Sequence, residues 1–388
     1  MKPVYLHALG IVNALGSGTD AVRRNLYAGS TAGMHARGDL VSGRRVRVGE
    51  AVAMLPPVAP SLGAYASRNN RLLQQAVDQI RPAIAAALSR YGAKRIGAVL
   101  GTSTAGIAEG ERALAARLKS GAFPEEFDYR QQEIGSPSEY LRCALSLGGP
   151  AWTVSTACTS SAKALSSAKR LLDAGLCDAM LVGGVDSLCR LTLNGFAALE
   201  SVSHDLCNPM SRNRDGINIG EGAALFLMSR EPGPVAVLGI GESSDAYHIS
   251  GPDPEGRGAE LALLQALAGT DAKAVDYLNL HGTATSQNDL MESHVVHRVL
   301  GDVACSSTKP LVGHTLGAAG ATELGFCWML LTEPGAATLP PHVWDGEADP
   351  ALAPLNLVGT GMSRECRVVA SNSFAFGGNN ICVLLGRG

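Results

Sequence analysis

Apolar positions in this chain follow two recurring patterns. Short runs of Val, Ile, Leu and Ala stop at glycine-containing turns, and longer stretches carry apolar residues three and four apart. The first pattern predicts strands and the second predicts helices that pack on them. Strands are predicted from Val4 toward Leu15, Arg95 to Gly101, Ala179 to Gly184, Gly220 to Met228, Val235 to Gly241, Val275 to Leu280, Val368 to Phe374 and Ile381 to Leu385. Helices are predicted over Asp20 to Tyr27, Arg68 to Leu88, Lys163 to Leu172, Leu261 to Leu267 and Ala321 to Leu331. Residues 30 to 60 are rich in Gly, Arg and Pro with weak periodicity, and read as a surface excursion.

Alternating strands and helices imply an α/β body, with mainly parallel strands joined by right-handed crossovers. The cluster Glu231-Pro232-Gly233-Pro234 breaks the chain, dividing it into halves at residues 1–233 and 234–388. In each half an extended segment, ending at Cys158 or at His314, runs through small residues into a central helix. The expectation is therefore a layered fold of two βα halves related by a pseudo-twofold.

Within this pattern Cys158 draws attention. It sits in Val154-Ser155-Thr156-Ala157-Cys158-Thr159-Ser160-Ser161-Ala162, at a predicted strand-to-helix turn, with Ala162, Leu165, Ala168 and Leu172 on one side of the helix that follows. The unpartnered amides and positive dipole end of a helix stabilise a thiolate, so Cys158 is a candidate nucleophile with a lowered pKa. The competing reading is a small cysteine packed in a core.

Composition narrows the class. Charged residues are 17 percent of the 388 and glycine numbers 46, which fits a large globular body with many tight turns. A net charge of −3, with no run of Lys or Arg, gives no footprint for nucleic acid. The nine cysteines, at 143, 158, 177, 189, 207, 305, 327, 366 and 382, are scattered without a CxxC pair. Such a set reads as reduced thiols of a cytoplasmic protein, not a disulfide framework or zinc knuckle. No stretch is apolar for the length of a membrane span, and no secretory signal is evident. The loop Gly101-Thr102-Ser103-Thr104-Ala105-Gly106 lacks the lysine and spacing of a phosphate cradle. His294 and His297 have a metal-like helical spacing but no partner motif, so no metal is expected.

The remaining motifs form an ordered set. Thr156-Ala157-Cys158 is followed by Arg214-Asp215-Gly216, Gly220-Glu221-Gly222, Asp245-Ala246-Tyr247-His248 and His281-Gly282-Thr283. Then come Lys309 with Gly313-His314, Gly317-Ala318-Ala319-Gly320, Glu323, and Asn372-Ser373-Phe374-Ala375-Phe376-Gly377-Gly378-Asn379-Asn380. Over nearly its whole length the chain resembles the β-ketoacyl-acyl-carrier-protein synthases with a Cys-His-His site, which have the thiolase fold.

The resemblance implies decarboxylative Claisen condensation of an acyl-Cys158 thioester with malonyl-acyl carrier protein, in fatty-acid, polyketide or aryl polyene synthesis. Cys158 would be the nucleophile, with the amides of Cys158 and Phe376 as oxyanion hole. His281 and His314 would serve the malonyl group, supported by Lys309 and Glu323. Thr283 and Thr285 would bond the pantetheine arm, and Phe374, Phe376 and Thr104 would line substrate. No dissociable cofactor is implied, since substrates ride on the phosphopantetheine of acyl carrier protein. That acidic partner makes Arg68, Arg71 and Arg212 docking candidates, whereas Asn208 lacks the basic charge often found at its position. The family forms dimers, so a homodimer or a heterodimer with a related chain-length partner is expected. Ala375 replaces a usual glycine and Asn379 a common threonine. With Thr104 and Ser67-Arg68-Asn69-Asn70-Arg71, these departures resemble ketosynthases of aryl polyene clusters. A non-catalytic chain-length partner and a biosynthetic thiolase are the rival readings.

Overall fold

The computed structural model describes residues 3–51 and 53–388. Its main sheet takes β1 (Tyr5–Asn13), β2 (Ile96–Gly101), β3 (Ala151–Val154), β4 (Ala179–Asp186) and β5 (Gly222–Ser229) from the first half of the chain. The second half supplies β6 (Val235–Ser244), β7 (Tyr277–Asn279), β8 (Ala304–Ser306), β9 (Val368–Ala375) and β10 (Asn379–Arg387). The first five lie in the order β1-β5-β4-β2-β3 and the second five in the order β6-β10-β9-β7-β8. Both sets pair antiparallel, antiparallel, parallel, parallel. The same topology thus occurs twice. A short contact, Tyr5 opposite Ala236 and Leu6 opposite Val235, joins the sets into one sheet.

The sheet is therefore mixed, not mainly parallel as the alternation of elements implies. Of the antiparallel pairings within the two sets only β9 with β10 is a tight hairpin that needs no helical crossover; the others bring together strands separated by long stretches of chain. β4 and β5 are buried along their whole length, consistent with helices on both faces and with their unbroken apolar runs.

Two central helices lie inside the layers: α1 (Ser160–Asp173) follows β3, and α2 (Ala319–Thr332) follows β8. The predicted face of α1, with Ala162, Leu165, Ala168 and Leu172, is buried. α2 is buried nearly all round, and apart from Thr322, Glu323 and the terminal Thr332 its residues are apolar or small. The helices cross where Gly320 meets Ala162: a Cβ on Gly320 would stand 2.8 Å from the Ala162 Cβ. The Ala321 amide donates to Ser161 Oγ at 2.8 Å across the same crossing.

Two sequence expectations need correction. Residues 30 to 60 contain a hairpin, Met34–Val41 with Arg44–Gly49, whose second strand pairs with Ile219–Gly220. Val46 and Val48 are buried between exposed or half-exposed arginines, a period-2 pattern that the arginine content obscured. The predicted helix from Arg68 to Leu88 is two helices, Arg68–Gln79 and Arg81–Tyr91. Pro82 cannot donate to the preceding turn, so a new helix starts there.

Candidate active site

Cys158 stands in the turn between β3 and α1, where the sequence places it. Ala157 just before it holds a φ of 52°, a left-handed conformation that costs a non-glycine residue energy and turns the cysteine out of the strand. His314 reaches the same point from the second half. Its loop is fixed to the first half where Gly220 donates its amide to the His314 carbonyl at 2.9 Å. Gly313 has a φ of 72°, and a Cβ there would press on the backbone of Gly220. Glycine is required because two backbones pass in contact.

The result is a buried pair: His314 Nε2 lies 3.0 Å from Cys158 Sγ. His281, just beyond β7, completes the group, with its ring centroid 5.5 Å from that of His314 and the rings nearly perpendicular at 83°. Phe374 packs edge-on against His281 at 5.7 Å. One ligand-type atom from each of Cys158, His281 and His314 falls within 4.8 Å of the others, and among the described residues no other group of His, Cys, Asp and Glu converges so tightly. His294 and His297 instead lie against the Ala351 and Pro354 carbonyls.

Electrostatics set the protonation states. Burial, then the Lys309 ammonium, hold His314 well below its ordinary pKa; burial, Lys309 and His314 do the same to His281. Both rings are neutral at physiological pH. Burial also pushes the Cys158 thiol up to about 12, with Lys309 opposing the shift. This corrects the expected thiolate: taking the sulfur out of water outweighs what a helix end contributes, and the resting site is a neutral thiol beside a neutral imidazole. That pair can react by moving a proton from sulfur to Nε2 as the sulfur attacks.

Lys309 is buried and donates to the His281 carbonyl and, at 2.6 Å, to Glu323 Oε1. The expected lysine–glutamate support is thus present beneath the histidines. A second support was not foreseen. Glu292, on the helix Ser286–Leu300, is fully buried and accepts from the His281 amide at 2.8 Å and the Gly282 amide at 2.7 Å. Burial nevertheless pushes its pKa up to about 7. Asp289, one turn earlier, accepts from the Ala284 amide at 3.2 Å and the Met210 amide at 2.8 Å. Two carboxylates three residues apart on one helix face were the available signal. A mid-helix acid ordinarily reads as solvated surface.

The three groups open into a cavity of about 430 Å³, walled also by Thr283, Thr285, Phe196, Phe374 and Phe376. The Thr283 and Thr285 hydroxyls are 2.9 Å apart. Phe376 is 38 percent exposed, with its ring 5.7 Å from Phe196. Ala375 ends β9 without a left-handed φ, and the turn beyond it is made by Gly377 and Gly378 at 83° and 76°. The alanine therefore fits its place. Asn379 accepts from Lys163 Nζ at 3.1 Å.

Other expected site residues lie elsewhere. Thr104 is fully buried outside the cavity wall, and its amide and hydroxyl each donate to Asp186 Oδ1 at 2.7 Å. Arg68 is bound by Nε to Glu221 at 2.8 Å, and Arg71 donates to the Pro56 and Leu55 carbonyls. Arg68 is thereby neutralised by a carboxylate, whereas Arg71 is tied to backbone carbonyls and keeps its charge. Arg212 remains well exposed, in a loose pair with Glu347 at 3.1 Å.

Comparison with known proteins agrees with this geometry. Residues 59–232 match the model of the beta-ketoacyl synthase N-terminal domain, and residues 235–343 that of the C-terminal domain. Nodulation protein E of Rhizobium meliloti is 34% identical over 301 residues, 74% of each chain. The 3-oxoacyl-[acyl-carrier-protein] synthase 2 of Coxiella burnetii is 32% identical over 324 residues, 77% of each. Among solved structures, the complex of the ketosynthase ApeO with its chain length factor ApeC from Xenorhabdus doucetiae is 45% identical. It matches with a TM-score of 0.95 over 100% of this chain and 98% of that one. The ishigamide ketosynthase/chain length factor is 26% identical, with a TM-score of 0.88 over 100% and 99%. A cysteine on the first central turn, two histidines brought to it from the second half, and matches to both family domains have one explanation: the chain belongs to the β-ketoacyl synthase family.

Proposed function

We propose that this chain is a ketosynthase, an acyltransferase of the 3-oxoacyl-acyl-carrier-protein synthase class, that extends acyl chains carried on acyl carrier protein. The observation that carries the reading is the 3.0 Å approach of His314 Nε2 to Cys158 Sγ, in a cavity that His281 also faces. In the first step Cys158 attacks the acyl thioester and His314 takes the thiol proton. The tetrahedral oxyanion is met by the amides of Cys158 and Phe376. The carrier thiol leaves with the proton, and an acyl-Cys158 thioester remains.

In the second step a malonyl carrier occupies the cavity, with its pantetheine amides against Thr283 and Thr285. Loss of carbon dioxide leaves an enolate whose oxygen is met by the His281 N–H and by His314 once its proton has moved to Nε2. Burial, aided by the Lys309 charge, keeps both rings neutral, so each offers a hydrogen bond without holding a full charge. The enolate carbon attacks the acyl carbonyl, the C–S bond breaks, and the leaving Cys158 sulfur takes up a proton that comes from solvent. The product is a 3-oxoacyl carrier two carbons longer.

The 45% identity to the ApeO–ApeC complex supports a dimer with a chain-length partner, and the departures at Thr104, Ala375 and Asn379 are what point to a polyene-forming pathway. The nine free thiols support work in the cytoplasm. Intact-protein mass spectrometry, with acyl carriers bearing saturated and polyenoyl chains, tests the reading. An acyl adduct that requires Cys158 and is discharged by malonyl carrier is expected. No loading with any chain, with a candidate partner subunit present, would overturn it in favour of a pocket-shaping subunit.

A further inference from the structure

Of the arginines expected to meet an acidic carrier, Arg68 and Arg212 are each paired with a carboxylate, whereas three arginines of another surface are not. On the hairpin Met34–Val41 and Arg44–Gly49, Arg44, Arg45 and Arg47 donate only to backbone carbonyls of Val202, Ala36 and Met34. Among the described residues no carboxylate pairs with any of the three. Arg37 on the first strand is neutralised by Asp39 and Glu50, so the excess positive charge lies on the second strand.

That strand adjoins the cavity mouth. The Arg44 guanidinium holds the Val202 carbonyl at 3.0 Å, next to Ser201 in the cavity lining. The Ile217 amide donates to the Ser201 carbonyl at 2.8 Å, and Ile217 lines the cavity as well. Two residues on, Ile219 pairs with Val48 of the hairpin. The basic strand and the cavity rim are thus one hydrogen-bonded piece. At the rim Leu199, 54 percent exposed, adds an apolar contact.

We propose that this hairpin, through Arg44, Arg45 and Arg47, is the docking surface for the acidic phosphopantetheine carrier. The inference rests on the ketosynthase reading. A carrier seated there would be aligned by unpaired guanidinium groups and would direct its pantetheine past Leu199 toward Cys158. Complementary charge of this kind acts mainly on encounter rate and orientation, and is weakened by salt.

The test compares two acyl donors, an acyl carrier protein and the matching acyl-pantetheine, on the wild-type protein and on the Arg45→Glu/Arg47→Glu variant. Expected is a rise of about tenfold in KM for the carrier at low salt, with acyl-pantetheine loading of Cys158 within about twofold of wild type. The difference should shrink as ionic strength rises. Arg212→Glu, the comparator, should change carrier KM less. An unchanged carrier KM with intact pantetheine loading would overturn the proposal and leave the ketosynthase reading standing. So would a variant whose only change is its oligomeric state. Failure of wild-type Cys158 to load from either donor would instead count against the ketosynthase reading.

Discussion

His314 Nε2 and Cys158 Sγ lie 3.0 Å apart, with both side chains buried and both neutral at rest. The sulfur is activated at the moment of attack, not beforehand. Because the thiol is pushed up to about 12 from an ordinary 9.0, its thiolate fraction should climb about tenfold per pH unit well past pH 9. Alkylation by iodoacetamide, followed by mass spectrometry of the Cys158 peptide, should rise without levelling up to pH 10. A plateau near pH 8 would show an activated thiolate. Replacing His314 with Ala should slow acyl transfer about 10²- to 10³-fold, because the proton then has no local acceptor.

Lys309 and Glu323 form an ion pair with almost no solvent contact, at 2.6 Å. A buried pair is weak evidence of net stability, but removing one partner leaves an unpaired buried charge. Glu323→Leu should therefore lower unfolding stability by about 3 to 5 kcal/mol in urea titrations. The double variant Lys309→Met/Glu323→Leu should recover much of that loss. It should nevertheless remain slow in decarboxylation, since the His281 carbonyl has lost its ammonium partner. Recovery of both stability and turnover would reduce the pair to a packing role.

What the sequence disclosed and what it hid follow from how local each cause is. Cys158 at its turn, the buried face of α1 and the apolar α2 are written in neighbouring residues, and all were legible. The two histidines were legible through short motifs that the ketosynthase resemblance put in order. The hairpin was not, because alternating Val and Arg over six residues is a weak signal. Arg68 read as a docking candidate since its partner, Glu221, is remote in sequence and no local pattern joins them. Glu292 was hidden for a similar reason: the amides it holds belong to the loop before its own helix. The direction of the Cys158 shift failed because helix-end stabilisation is a local effect, while burial is a property of the whole fold.

Gly320 and Ala162 mark the crossing of the helices that follow Cys158 and His314. A Cβ at residue 320 would stand 2.8 Å from the Ala162 Cβ and 3.0 Å from its amide nitrogen, so one helix would have to shift. Gly320→Ala should cost about 1 to 3 kcal/mol of stability. It should also slow Cys158 acylation, by moving the sulfur and imidazole apart. Thermal unfolding and single-turnover acylation on the same sample check both effects. A fully stable variant with unchanged acylation would show that the crossing adapts without cost.

His342 gives a pH dependence with a defined sign. It is fully buried; its Nδ1 accepts from the Ser307 amide at 3.0 Å, and its Nε2 donates to the Pro209 carbonyl at 2.9 Å. Burial lowers its pKa from 6.5 to about 4. The unfolded chain therefore takes up a proton below pH 6.5 that the folded chain refuses until about pH 4, and stability falls as pH drops through that window. The full effect is about 3 kcal/mol. His342→Gln keeps an acceptor and a donor without titrating, and should lose less stability than wild type between pH 6.5 and 4. The two urea midpoints, compared at pH 7.5 and at pH 4.5, should differ more on the basic side, with wild type losing its relative advantage in acid. Parallel pH profiles for the two proteins would mean that His342 takes up its proton equally in the folded and unfolded states.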